Sequence, residues 1–227
     1  MENFTIKPIG YIKNDFKFKF GIPRQSGRAK SVISTIIFNE EFRNDDALRG
    51  IEEFSYLWLI FDFSKAHTEN YSFLVRPPRL GGNKKVGVFA SRSPFRPNNI
   101  GLSSVKLERV EKIKEFGSVL IVSGADLLDG TPIYDIKPYL SFTDCHIDAI
   151  NGYAENQKDY KLEVVIPDSI KEIIPSDKLT PLIECLEDDP RPSYQDDGKE
   201  YGLTFADINI KFTVKDKILT VSSVEKI

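Results

Sequence analysis

Residues 55–63 read SYLWLIFDF, a nearly continuous apolar run suited to a strand buried on both faces. The run is far shorter than the ~20 residues that a membrane-crossing helix needs. The chain around it keeps the same idiom. Val32–Phe38 is rich in β-branched residues, and Lys85–Ala90, Leu102–Val110 and Ser118–Ser123 are further short strands between Gly, Pro and Asn turns. One short helix is expected at Asp45–Ile51, with Asn44 or Asp45 as its N-cap. Many short strands with punctuating turns predict a barrel or sandwich, not a doubly wound sheet.

The composition turns polar over Ala149–Asp159, which divides the chain into a β-rich domain, 1–150, and a small α/β domain, 151–227. The second reads as a strand at Leu162–Ile166, then a helix over Asp168–Ile174 that breaks near Pro175 and resumes at Lys178–Leu186. Asp189–Lys199 is a loop. In the hairpin that follows, Ile208, Ile210, Phe212 and Val214 alternate, Lys215–Asp216 turns and Ile218–Val224 returns. The fold class is therefore mainly β with a small α/β appendage.

With 227 residues and 41% hydrophobic content, the chain can build one main core plus a smaller one. Its only cysteines, Cys145 and Cys185, lie outside any metal-type spacing, so free thiols and no metal are expected. Nothing near Met1 resembles a secretory signal, which predicts a cytoplasmic protein without a membrane partner. The net charge of −3 conceals a polarised distribution. From Asn70 to Leu107 there is no acid, while Arg76, Arg79, Lys84, Lys85, Arg92, Arg96 and Lys106 all fall there. Such a field steers a polyanion to one face.

The densest segment is Arg76–Ser103, RPPRLGGNKKVGVFASRSPFRPNNIGLS. Its prolines and glycines make stiff, shaped loops, on which arginines lose little entropy when they grip an anion. Neither GxxxxGK[ST] nor GxGxxG occurs, so a Rossmann-type site has no support. PRQSG at 23–27, DLLDGTPIYDIKPY at 126–139 and DPRPSY at 189–194 are further polar clusters on turns.

These motifs, in this order, resemble the TrmO family, also called TsaA or YaeB-like proteins. The resemblance is strongest from Ile9 to Tyr139 and rests mainly on DPRPSY in the appendage. It implies a single β-barrel methyltransferase core that binds S-adenosylmethionine, usually as a homodimer, and methylates N6 of threonylcarbamoyladenosine at position 37 in the tRNA anticodon arm. By similarity the cofactor contacts fall on Arg24, Gln25, Ser26, Ser64, Lys65, Arg92, Leu102 and Asp126, Leu127, Leu128 and Asp129. The family carries His-Gln where this chain has Ser64–Lys65, and Pro where it has Ser26.

The chemistry itself calls for a nucleophilic nitrogen held about 3 Å from the methyl carbon. The lone pair of an adenine amine is delocalised, and in a urea its N–H is more acidic, so a base that takes the proton is plausible. Asp135 is the candidate, with Tyr134 or Tyr139 as alternatives; the rival reading is that Asp135 pairs with Lys137. Arg92 and Arg96 suit the threonyl carboxylate, helped by Asn98. Arg76, Arg79, Lys84, Lys85 and Lys137 would hold RNA. Arg191 and Tyr194 would pair and stack there too, unless DPRPSY is a folded-in structural loop. His67 and His146 lie in no motif, and Trp58 reads as core. Two further readings remain at this stage: a methyltransferase of a small phosphorylated or nucleoside substrate, and a non-enzymatic S-adenosylmethionine-binding module.

Overall fold

A computed structural model describes residues 4–77, 80, 84–191 and 197–227. Six strands pair antiparallel in the closed order β1 (Gly10–Lys13), β2 (Ile33–Phe38), β7 (Gly117–Ser123), β6 (Ile100–Ile113), β3 (Tyr56–Asp62) and β8 (Pro132–Pro138), with β8 returning to β1. A two-stranded ribbon, β4 (Leu74–Val75) and β5 (Val86–Gly87), stands between β3 and β6 in sequence. Closure leaves no open edge in the main sheet.

Inside the barrel Leu57, Leu59 and Phe61 meet Ile12, Ile36, Val105, Leu120, Val122 and Ile133. The SYLWLIFDF run therefore alternates: its other face, Tyr56, Trp58 and Ile60, points outward, which corrects the expectation of burial on both sides. Trp58 is not core. It lies half-buried on the outer wall, packs on Tyr139, and donates its indole N–H to Asp144 Oδ2 at 2.8 Å. Gly101 lets β6 pass close beneath the Phe61 ring, since a β-carbon there would come within 2.2 Å of it. The expected helix at Asp45–Ile51 is instead a 3-10 turn over Asp45–Leu48, capped as expected by the Asn44 side chain.

The barrel's strand directions fix where its loops go. Because neighbours run antiparallel, the β1–β2, β3–β6 and β7–β8 connections all emerge at one end. Every motif singled out before Pro132 lies in those connections, or just inside the strands they enter.

The C-terminal part has a four-stranded sheet in the order β10 (Glu200–Phe205), β11 (Ile208–Lys215), β12 (Ile218–Lys226), β9 (Glu163–Val165). A single helical turn, α1 (Ser141–Asp144), follows β8, and between β9 and β10 lie helices α2 (Asp168–Lys171) and α3 (Ser176–Glu187). Its core also contains Phe16, Ala29 and Val32 from the β1–β2 connection, with Phe16 edge-on to Phe205 at 5.8 Å. Polar fastenings reinforce this. Lys178 pairs with Asp15 at 2.6 Å, Glu184 accepts from the Ser31 amide at 2.7 Å, and Arg28 pairs with Asp188 at 2.7 Å. The appendage thus grips the loop that carries PRQSG. Among the described residues, no helix is long and apolar enough to cross a membrane.

Candidate functional site

At the motif-bearing end, the chain leaves β7 and buries the Asp126 carboxyl. Ser103, from the start of β6, donates to Asp126 Oδ1 at 2.6 Å, and the Ser26 amide also donates to this carboxyl. Burial pushes Asp126 above the ordinary carboxylate range. Those two bonds, its own amide and the Arg92 charge offset that only in part. Arg92 in turn donates from Nη1 to Gln25 Oε1. Four of the expected cofactor residues, Gln25, Ser26, Arg92 and Asp126, are therefore brought together by three different loops.

The neighbouring turn is cross-linked by hydrogen bonds. Phe63 N–H donates to Asn99 O at 2.8 Å, and Asn99 Nδ2 donates to Ala66 O and Pro94 O at 3.2 and 2.7 Å. This ties Ser64–Lys65 to the SRSPFRPN loop. The Lys65 carbonyl accepts from Lys19 Nζ at 2.6 Å, and Leu102 is exposed on the outer face of β6. Arg96 spends Nη1 on the Ser91 and Ser93 carbonyls, at 3.2 and 3.3 Å, and so shapes its own loop. Arg76, Lys84, Lys85 and Asn98 are exposed.

Several expected residues do other work. Arg24 donates from Nη2 to the Arg191 carbonyl at 2.9 Å. Leu127 is buried in the barrel core, and the Leu128 carbonyl accepts from the Thr131 amide at 3.1 Å. Asp129 holds the end of β1, accepting from Asn14 N–H at 2.9 Å and Lys17 Nζ at 2.8 Å. Asp135 pairs with Lys137 at 2.7 Å and accepts from the Ile136 amide, so the structural reading of that pair holds. Arg191 has 9% side-chain exposure and is clamped by Asp189 at 2.9 Å and Asp197 at 3.3 Å, as the folded-in loop reading expects. Tyr139 packs on Tyr56 and Trp58. Arg79 and Tyr194 lie outside the described residues.

A second cluster was missed in the sequence. β8 bulges opposite the Ile60–Phe61 step, where Asp135 pairs with Ile60 and Ile133 with Phe61, so Tyr134 is the extra residue. Its hydroxyl reaches Asp62, the buried last residue of β3. Burial first, and then the Asp62 charge, pushes the Tyr134 phenol above the usual tyrosine range, which keeps it a donor. Asp62 Oδ1 also meets His67 Nε2 at 2.7 Å. The available signal was an acid closing an apolar strand with a histidine five residues on. Among the described residues, no group of three or more His, Cys, Asp or Glu is placed to hold a metal ion.

A closed antiparallel barrel with an arginine–carboxyl cluster at one end, beside an acid-free basic loop, defines a non-Rossmann barrel protein suited to a small polar ligand next to a polyanion. Residues 11–145 match the tRNA-methyltransferase O N-terminal domain and residues 159–227 match the TrmO C-terminal domain. The chain belongs to the TrmO family. It is 39% identical over 235 residues to the tRNA (adenine(37)-N6)-methyltransferase of Escherichia coli, covering 99% of both chains. A Pseudomonas aeruginosa relative that carries the name of an S-adenosylmethionine-dependent methyltransferase is 38% identical over 222 residues, or 91% of this chain and 90% of its own. The crystal structure of TrmO from P. aeruginosa superposes with a TM-score of 0.80 at 32% identity, covering 100% of this chain and 98% of that one.

Proposed function

We propose that this protein transfers a methyl group from S-adenosylmethionine to N6 of threonylcarbamoyladenosine at position 37 of tRNA. One observation carries the reading: three connections at one barrel end gather Gln25, Ser26, Arg92 and Asp126 beside the acid-free basic segment. A buried carboxyl suits the hydroxyl and ammonium groups of S-adenosylmethionine, and an arginine fork suits its carboxylate, so these residues fit that cofactor. When bound, it supplies an electrophilic methyl group on a sulfonium. Gln25, Ser26, Arg92 and Asp126 would hold it, with Ser64, Lys65 and Leu102 at its flanks.

In this reading the barrel of residues 1–150 is the cofactor-binding methyltransferase core, and residues 151–227 buttress its PRQSG loop. Arg96 and Asn98 would take the threonyl carboxylate. Asp135 and Lys137 form a solvent-exposed ion pair, a contact of small net energy that leaves both side chains within reach of a bound RNA. Arg76, Lys84 and Lys85 are the residues for anticodon-arm phosphates, which agrees with a cytoplasmic protein working on tRNA. A homodimer is supported by Phe142, Ile147 and Ile150, exposed at 86%, 96% and 96% in the segment after β8, a surface that a second copy of the chain would cover.

Incubation of tRNA with radiolabelled cofactor and this protein should make label acid-precipitable with the RNA; binding of the cofactor without transfer would favour a non-enzymatic module. The RNA partner has its own signature. The double variant Lys84→Ala/Lys85→Ala is expected to weaken tRNA binding for all sequences alike. It should also reduce the slope of log K against log salt by about 1 to 2. Filter binding across a salt series checks this, and an unchanged slope would remove both lysines from the phosphate grip.

A further inference from the structure

We infer that His67, held by Asp62 and Tyr134, takes the proton from the target nitrogen. The inference rests on the methyltransferase reading above and adds a residue to it that no motif contains.

A neutral imidazole acts as a base only when its ring is held in one tautomer. One ring nitrogen must donate to a fixed acceptor, so that the other presents its lone pair outward. His67 Nε2 lies 2.7 Å from Asp62 Oδ1, while its side chain remains 59% exposed. Asp62 is buried and also receives the Tyr134 hydroxyl. A carboxylate with two donors is restrained in orientation, and it in turn fixes the ring. Nδ1 is then the free acceptor.

Placement is the second support. Asp62 ends β3, His67 follows in the β3–β6 connection, and Tyr134 sits on the bulge at the start of β8. All three are therefore at the barrel end that carries Arg92 and Asp126. The Ser64–Lys65 turn lies between Asp62 and His67 in the chain, and the Asn99 bonds to Ala66 O and Pro94 O hold that turn against the SRSPFRPN loop. Asp135, the other candidate, lies on β8 in an exposed ion pair with Lys137 at 2.7 Å, with no buried partner to fix its orientation as Asp62 fixes His67.

The step balances without a further reactant. As the N6–CH3 bond forms and the sulfonium C–S bond breaks, the nitrogen's N–H pair stays on nitrogen and its proton passes to His67 Nδ1. The sulfonium leaves as a neutral thioether, and the imidazolium returns its proton to water. Asp62 and Tyr134 are positioning residues.

His67→Ala should lower kcat about 100-fold with little change in KM for tRNA, and added imidazole should restore part of it. Across substituted imidazoles, rescue should rise with basicity, which a merely structural role would not produce. An unchanged kcat, or a loss that no imidazole rescues, overturns the inference. A wild-type enzyme that methylates nothing would instead overturn the parent reading. A second readout needs no activity. With two histidines in the chain, nitrogen-15 spectra can assign both rings, and His67 should carry its proton on Nε2. Asp62→Asn should release that preference. A ring protonated on Nδ1 alone would contradict the proposal.

Discussion

Asp126→Asn is expected to raise the Kd for S-adenosylmethionine on the order of 100-fold, while the free protein stays as stable or becomes more so. The loss follows from removing a charged acceptor from a pocket, where a hydrogen bond to a charged group contributes about 1.5–3 kcal/mol. The stability side follows from linkage. Burial is the largest influence on Asp126 and raises its pKa in the folded state. Between the ordinary aspartate value and that raised value, the folded chain binds more protons than the unfolded one, so stability falls as pH rises through this window. Above the window the full penalty persists at neutral pH. An asparagine carries no charge, so it removes both the penalty and the pH slope, and it can still accept from Ser103. Isothermal titration and melting curves over acid and neutral pH check the two halves. Tighter or unchanged binding would remove Asp126 from the cofactor pocket.

Arg28→Ala should destabilise the chain by about 3 kcal/mol, because it strips a guanidinium from a nearly buried carboxylate. Arg28 Nε is 2.7 Å from Asp188 Oδ1, and its other nitrogens donate to the Lys158 and Tyr160 carbonyls at 2.8 and 2.5 Å. For a chain of this length that corresponds to a melting temperature lower by roughly 6 to 12 °C. The same change should weaken cofactor binding several-fold, since Arg28 anchors the loop that presents Gln25 and Ser26. Saturating cofactor should then recover part of the lost melting temperature. A fall in stability with unaltered cofactor affinity would mean that the appendage does not buttress the site.

How much of this was legible depended on how local the information is. The hairpin of β11 and β12 was readable because Ile208, Ile210, Phe212 and Val214 alternate over one face. Most of α3 was readable too, as the helix resuming after Pro175. β1 is four residues long, and β8 contains two prolines, so neither stands out until closure supplies partners on both sides. β3 is legible as a strand but not as one with a single buried face, because an outer wall lined by Tyr56, Trp58 and Ile60 looks as apolar as an inner one.

The site divides the same way. Gln25, Ser26, Arg92 and Asp126 sit in motifs, and those motifs meet. Arg24, Asp129 and Arg191 sit in equally polar turns, yet they bond to backbone and to neighbouring charges. A proline-rich loop with an arginine reads alike whether the guanidinium faces a ligand or a carbonyl. Asp62, His67 and Tyr134 were invisible as a group because two strands and a loop bring them together, and only the bulge in β8 aims the tyrosine.

The most direct test is mass spectrometry of nucleosides from tRNA incubated with the protein and S-adenosylmethionine, using tRNA with and without threonylcarbamoyladenosine. The account predicts a mass gain of one methyl substitution on threonylcarbamoyladenosine at position 37, with the unmodified tRNA unchanged. Methylation of both tRNAs, at another position, or of neither would contradict it.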